Sequence, residues 1–167
     1  MSKKTKTLVG AGIGILLIIL IISVIVMRTN SNIDTSNLEK LGTFVTLEQE
    51  DDGRYYGVDF SGYSKRGAKV YEFSNGYLLE KDEDNLNIKD SYSISVIDES
   101  TFVVTDEDEF EDTTLTIVSY DSSTGVLELN EGGDIIYCYP YDKVDLENTT
   151  EEHDPMYFYH KYYVNLK

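Results

Sequence analysis

The chain has no tryptophan, one cysteine, two histidines and few basic residues, with 14 Lys and Arg against 31 Asp and Glu. Each scarcity excludes a class of function. A single cysteine, Cys138, can form neither an internal disulfide nor a multi-cysteine zinc centre. A formal net charge of −17 argues against binding nucleic acid, because phosphate contacts need Lys and Arg. His153 and His160 are seven residues apart, which matches no zinc signature. They read as exposed or stacked rings in an aromatic tail. There is no G-x-S-x-G elbow, no phosphate-binding loop and no dinucleotide fingerprint. No cofactor is expected. At 41% hydrophobic, the 167-residue chain is too apolar to be wholly disordered, and it is long enough for one domain plus an anchor.

The longest apolar run is Leu8 to Met27, which contains no charge and no proline. As a helix at about 1.5 Å per residue it would span roughly 30 Å, the hydrocarbon thickness of a bilayer. Lys3, Lys4 and Lys6 precede it and Arg28 alone follows closely. The positive-inside rule then places residues 1–7 in the cytoplasm and residues 29–167 outside, on a single-pass cell-membrane protein of bacterial surface type. The run is longer than the apolar region of a cleaved signal peptide, and no small-residue cleavage site follows, so it reads as a retained signal-anchor. Gly10 and Gly14 are one turn apart and offer a weak face for anchor dimerisation.

All 31 acidic residues lie after the anchor, against ten basic ones, for a formal charge of −21. Such a surface stays dispersed in water and favours cationic partners over polyanions. Two acidic runs, Asp82–Asn85 and Asp106–Asp112, lack the oxygen ligands that an EF-hand loop needs at its fifth position, where Leu86 and Phe110 stand. They read as solvated loops that bind calcium weakly at most. Cys138 shares a face with Ile136 and reads as a small buried hydrophobe.

Residues 28–40 are polar and form a spacer. From Leu41 onward, runs of β-branched and aromatic residues alternate with polar ones, separated by turn residues. The runs are Thr43–Glu48, Tyr55–Phe60, Lys69–Phe73, Tyr77–Lys81, Tyr92–Ile97, Thr101–Thr105, Thr114–Tyr120, Val126–Asn130 and Ile135–Tyr139. Asn75-Gly76 is a type I′ hairpin signal, because both central positions take positive φ there. No amphipathic helix interrupts the rhythm. It predicts an all-β antiparallel up-and-down meander over residues 41–142, closed as a barrel or stacked as a sandwich. The expected core is Phe44, Val58, Phe60, Val70, Leu79, Ile94, Val96, Val103, Leu115, Ile117, Leu127, Leu129, Ile136 and Cys138. Inward positions this large would fill a small barrel and leave no large ligand cavity.

Residues 143–167 read as an acidic linker followed by a tyrosine-rich strand or arm. Alternation from Asp154 to Leu166 puts aromatic residues on both faces. Tyr157, Tyr159 and Tyr163 are the candidate partner-binding surface, suited to a peptide, a cationic protein or a cell-wall glycan.

Several segments carry a resemblance. Leu41-Gly42-Thr43-Phe44, Tyr71 to Gly76, Tyr92 to Val96, Leu115 to Val118, Gly125 to Leu129 and Tyr137-Cys138-Tyr139 resemble the small bacterial extracytoplasmic lipocalin-like (calycin-type) domains. Phe44 stands where that family usually has tryptophan. The resemblance implies an up-and-down β-barrel and no uniform catalytic site. The reading is therefore a membrane-anchored extracytoplasmic binding module, not an enzyme. The alternatives are an immunity or inhibitor protein presenting an acidic face to a basic partner and, with less support, a carboxylate-dependent glycan hydrolase.

Overall fold

The computed structural model describes residues 33–60, 68–106, 111–154 and 159–167. The expected anchor, Leu8–Met27, lies outside the described residues, and among those described no helix is long and apolar enough to cross a membrane. After a 3-10 turn at Leu38–Leu41, the chain forms eleven strands. They are β1 (Thr43–Gln49), β2 (Tyr55–Gly57), β3 (Lys69–Ser74), β4 (Tyr77–Lys81), β5 (Ile88–Val96), β6 (Thr101–Asp106), β7 (Glu111–Asp121), β8 (Val126–Glu131), β9 (Asp134–Pro140), β10 (Val144–Asp154) and β11 (Tyr159–Leu166). A further 3-10 turn, Tyr141–Lys143, joins β9 to β10.

All strand pairs are antiparallel, and strands β3 to β9 follow one another around the sheet. Strand β1 closes the circle. It pairs with β3 through Phe44↔Tyr71 and with β9 through Val45↔Tyr139. The result is an eight-stranded closed barrel, the barrel form of the expected meander, and closure leaves those eight strands no free edge. The turns explain the local register. Asn75 and Gly76 both take positive φ, 50° and 80°, as a two-residue I′ hairpin requires.

Alternation sorts the side chains into two clusters. Phe44, Tyr71, Phe73, Leu78, Phe102, Leu115, Leu127, Leu129, Ile136 and Cys138 form one buried group with Val58 and Phe60. Phe44 stacks on Phe73 at 5.1 Å, and Phe73 meets Phe102 edge-on at 5.8 Å. Nine expected core residues are buried: Phe44, Val58, Phe60, Val70, Leu115, Leu127, Leu129, Ile136 and Cys138. Ile94 and Ile117 pack against the interior group while partly exposed. Three expectations are corrected. In β4 and β6 the inward residues are Leu78, Phe102 and Val104, not Leu79 and Val103. Both strands carry adjacent apolar residues, so a period of two does not choose the face. Val96 is 57% exposed because it ends β5 beside the β5–β6 turn.

The second cluster lies on the other face of β1 and β3. It contains Val45, Leu47, Val70, Val144 and Val164, with Tyr55, Tyr139 and Tyr141 partly buried against it. It exists because β1 changes partner along its length. Its last residues leave β3 and pair with β2, through Leu47↔Gly57 and Gln49↔Tyr55. Strand β11 adds to β2, and β10 adds to β11. The barrel thus carries a three-stranded extension, β2–β11–β10. Residues 144–154, expected as acidic linker, are strand β10.

Candidate functional site

Two cations and two tyrosines knit β2 to β11 and tie the extension to the end of β1 through Glu48 and Glu50. Arg54 sits 3.9 Å from the centre of the Tyr163 ring, Tyr163 meets Tyr56 edge-on at 6.0 Å, and Lys161 lies 4.3 Å from the Tyr56 ring. Arg54 also donates to Asp52 and to Glu152, each at 2.8 Å. Lys161 pairs with Glu50, and Tyr56 donates to Glu48. Cation–π contact and charge-assisted hydrogen bonds therefore fasten β2 and β11.

Tyr163 is only 9% exposed within this seam. A partner meeting the hairpin would reach little of its ring. Tyr157 lies outside the described residues. Tyr159 begins β11 opposite Asp154. The structure thus does not gather the three tyrosines into one described surface.

A different feature emerges at one end of the barrel. Strand direction sends the β1–β2, β4–β5, β6–β7 and β8–β9 connections to the same end. The Leu38–Leu41 turn, where the chain enters, lies at the other end with the β3–β4 and β5–β6 turns; there Thr35 donates its backbone N–H to Glu99 at 3.1 Å and its hydroxyl to Asp98 at 2.7 Å. The first end is acidic. Glu48, Glu50, Asp51 and Asp134 line an open groove of about 450 Å³ together with Gln49 and Tyr137. Asp59 is 7% exposed. Burial pushes the Glu131 carboxyl up to about 7, helped by the charges of Asp59, Glu48 and Asp134. Glu48 is also raised, first by burial and against the hydrogen bond from Tyr56. Crowded carboxylates of this kind prefer a proton or a cation nearby.

The two acidic runs, expected as solvated loops, make turn and strand contacts. One Asp82 oxygen accepts backbone N–H bonds from Asp84 at 3.0 Å and Asn85 at 3.2 Å, and the other faces Lys89 at 3.4 Å. These contacts hold the Asp82 carboxyl below its usual range, led by the bond from Asp84. They are the contacts of a turn, not of a converging ion site. In the second run, Asp112 accepts the Thr105 hydroxyl at 2.7 Å, and residues 107–110 lie outside the described residues. Among the described residues no group of three or more His, Cys, Asp and Glu is arranged to hold a metal. Cys138 is buried, and burial pushes its thiol up, away from the thiolate form.

Inside the barrel, Glu80 is 8% exposed. It pairs with Lys69 and accepts the Tyr92 hydroxyl at 3.1 Å. A buried carboxylate satisfied in this way is structural.

The acidic end was legible in part. Along a meander, alternate connections fall at the same end, so the acidic residues near positions 51, 83 and 133 had to converge once closure was known. The seam partners Arg54 and Lys161 carried no such signal. Compared with known proteins, the chain matches no protein family, no curated protein and no solved structure.

Proposed function

We propose that this chain is a membrane-anchored extracytoplasmic binding module that meets a cationic protein or peptide and carries out no catalytic step. The observation that carries the reading is the acidic open end of the barrel, opposite the point where the chain enters. Inward positions are occupied by large apolar side chains, which favours recognition on the outer surface over an internal ligand. A charge of −21 outside the expected anchor steers basic partners towards the module and repels polyanions. The basic start and uncharged run of residues 1–27 support an external location for the module. The lipocalin-like reading of residues 41–142 agrees with an eight-stranded meander, a form that many unrelated functions share.

Two measurements test this. Protease added to intact cells should remove residues 29–167 while the anchor stays with the membrane; full protection overturns the topology. Full-length protein in detergent should bind a short oligolysine peptide, with affinity falling as salt rises. Charge reversal at Glu50, Asp51 and Asp134 should lower it at least tenfold. Binding that ignores salt and these changes overturns the acidic-end reading. Turnover of a cell-wall glycan would overturn the non-catalytic one.

A further inference from the structure

We propose that the β10–β11 hairpin binds a late first-row divalent metal ion, of the zinc, copper or nickel type, between His153 and His160. The inference is independent of the membrane and of any protein partner.

The two histidines are seven apart in sequence but directly opposite in the hairpin, register partners on neighbouring strands. Opposed residues on one face of an antiparallel pair have Cβ atoms about 4.5–5.5 Å apart. The imidazole centres are 5.0 Å apart, with the rings 77° from parallel. Two imidazoles that share a metal at about 2.0–2.1 Å, with roughly 90–110° between the bonds, have centres about 4.5–5.2 Å apart. The observed separation falls in that range.

The neighbours suit the same role. Glu151 is two residues before His153, so both project on one face of β10. His160 Nδ1 donates to Glu151 Oε1, and the same oxygen accepts the Tyr162 hydroxyl at 3.1 Å. A neutral imidazole with its proton on Nδ1 carries its basic lone pair on Nε2. A carboxylate that holds Nδ1–H is the usual outer contact of a metal-bound histidine, and it raises the ligand's basicity. Glu151 is therefore a positioning residue and not a ligand. The site offers two protein ligands, with water filling the remaining positions. Imidazole nitrogen selects zinc, copper and nickel over calcium and magnesium, which prefer oxygen. The surrounding negative surface attracts divalent cations in general, and the histidine pair supplies the selectivity.

The chain has only these two histidines, so an imidazole–metal signal has one source. Untagged full-length protein in detergent is titrated with zinc by calorimetry and with copper by electron paramagnetic resonance. Zinc should bind with one equivalent at pH 7.5. The affinity should fall as the solution is made acidic, because protons compete with the metal for the ligand nitrogens. The copper spectrum should show two equivalent-type nitrogen couplings. His153→Ala or His160→Ala should weaken zinc binding at least tenfold and leave one nitrogen coupling. Glu151→Gln should weaken it about tenfold while keeping both couplings. His160 is half exposed, so these variants should fold, which circular dichroism checks. A wild-type copper spectrum with one nitrogen or none overturns the proposal. So does zinc binding that is absent, or unchanged when both histidines are replaced.

Discussion

A carboxyl group that is half buried, and then set beside three others, gives up its proton late, and Glu131 shows the consequence for stability. Its folded value of about 7 lies above the usual 4.5 of a free glutamate. Below about pH 4.5 it is neutral in both the folded and unfolded chain, and it costs nothing. As pH rises from there to 7, the unfolded chain ionises first and the folded state loses stability. Above 7 the loss is complete. Glu131→Gln should therefore stabilise the protein by about 1 kcal/mol at pH 8, once solvent screening of this half-exposed group is allowed for, and by almost nothing at pH 4. Denaturant melts at the two pH values check this, and an equal effect at both would contradict it. The turn aspartates work in the opposite sense. Asp98 and Asp121 are lowered by hydrogen bonds from Ser100 and Ser123, so their contribution disappears as pH falls through the acid range. Tyr163 makes a further residue-scale case, since its ring is buried between Arg54 and Tyr56. Tyr163→Ala should lower stability by about 3 kcal/mol, read from the denaturation midpoint. A loss below about 0.5 kcal/mol would mean that the seam contributes little.

Among the elements, β2 and the β10–β11 hairpin make this barrel unlike a plain meander. The three residues of β2 lie between β1 and β11, and Gly57 ends the strand where the backbone passes closest to the return of the chain. A Cβ on Gly57 would fall 2.3 Å from the Ala68 Cα. Both atoms belong to the backbone or its immediate branch, so neither can rotate away. Gly57→Ala should cost about 1–3 kcal/mol, seen as a lower melting temperature with unchanged circular dichroism. A neutral result would show that residues near Ala68 shift freely. The hairpin covers the second apolar cluster with Val144 and Val164. Strand β10 forms although five of the ten residues from Asp145 to Asp154 are acidic. Pairing with β11 supplies its hydrogen bonds, and tertiary context overrides weak strand propensity. A register shift between Asp145 and Thr150 marks where that pairing is irregular.

At the scale of the whole molecule the dominant quantity is charge. Ten basic against 31 acidic residues after position 28 leave a strong self-repulsion in the folded domain. Within it the cations are placed economically: Lys69, Lys81 and Lys161 are each committed to a glutamate, namely Glu80, Glu72 and Glu50. The remaining repulsion is exposed and screened by salt, with a Debye length of about 10 Å at 0.1 M and about 3 Å at 1 M. Raising sodium chloride from about 0.05 M to about 0.5 M should therefore raise the melting temperature by a few degrees at pH 7.5. A falling melting temperature would mean that the ion pairs outweigh the repulsion. Acidification to pH 5 should act in the same direction as salt through Glu131 and Glu48, because both bind protons more tightly when folded.

The sequence by itself determined the strand class, most turns and most of the apolar list. Those features are local: alternation of period two, Asn75-Gly76 with its positive φ, and β-branched runs between turn residues act through near neighbours. It also determined the charge of the chain after position 28 and the apolarity of Leu8–Met27. It did not choose between barrel and sandwich, because closure depends on β1 meeting β9 across about 90 residues. Nor did it choose the faces of Leu78-Leu79 or Phe102-Val103-Val104, where neighbouring residues are equally apolar and only packing against the interior decides. Tertiary structure alone made β10 a strand, put Tyr163 between Arg54 and Tyr56, and crowded Glu131 against Glu48, Asp59 and Asp134. It also set His153 opposite His160. A spacing of seven carries no meaning along an extended chain, and becomes a direct contact only when a hairpin folds the chain back on itself.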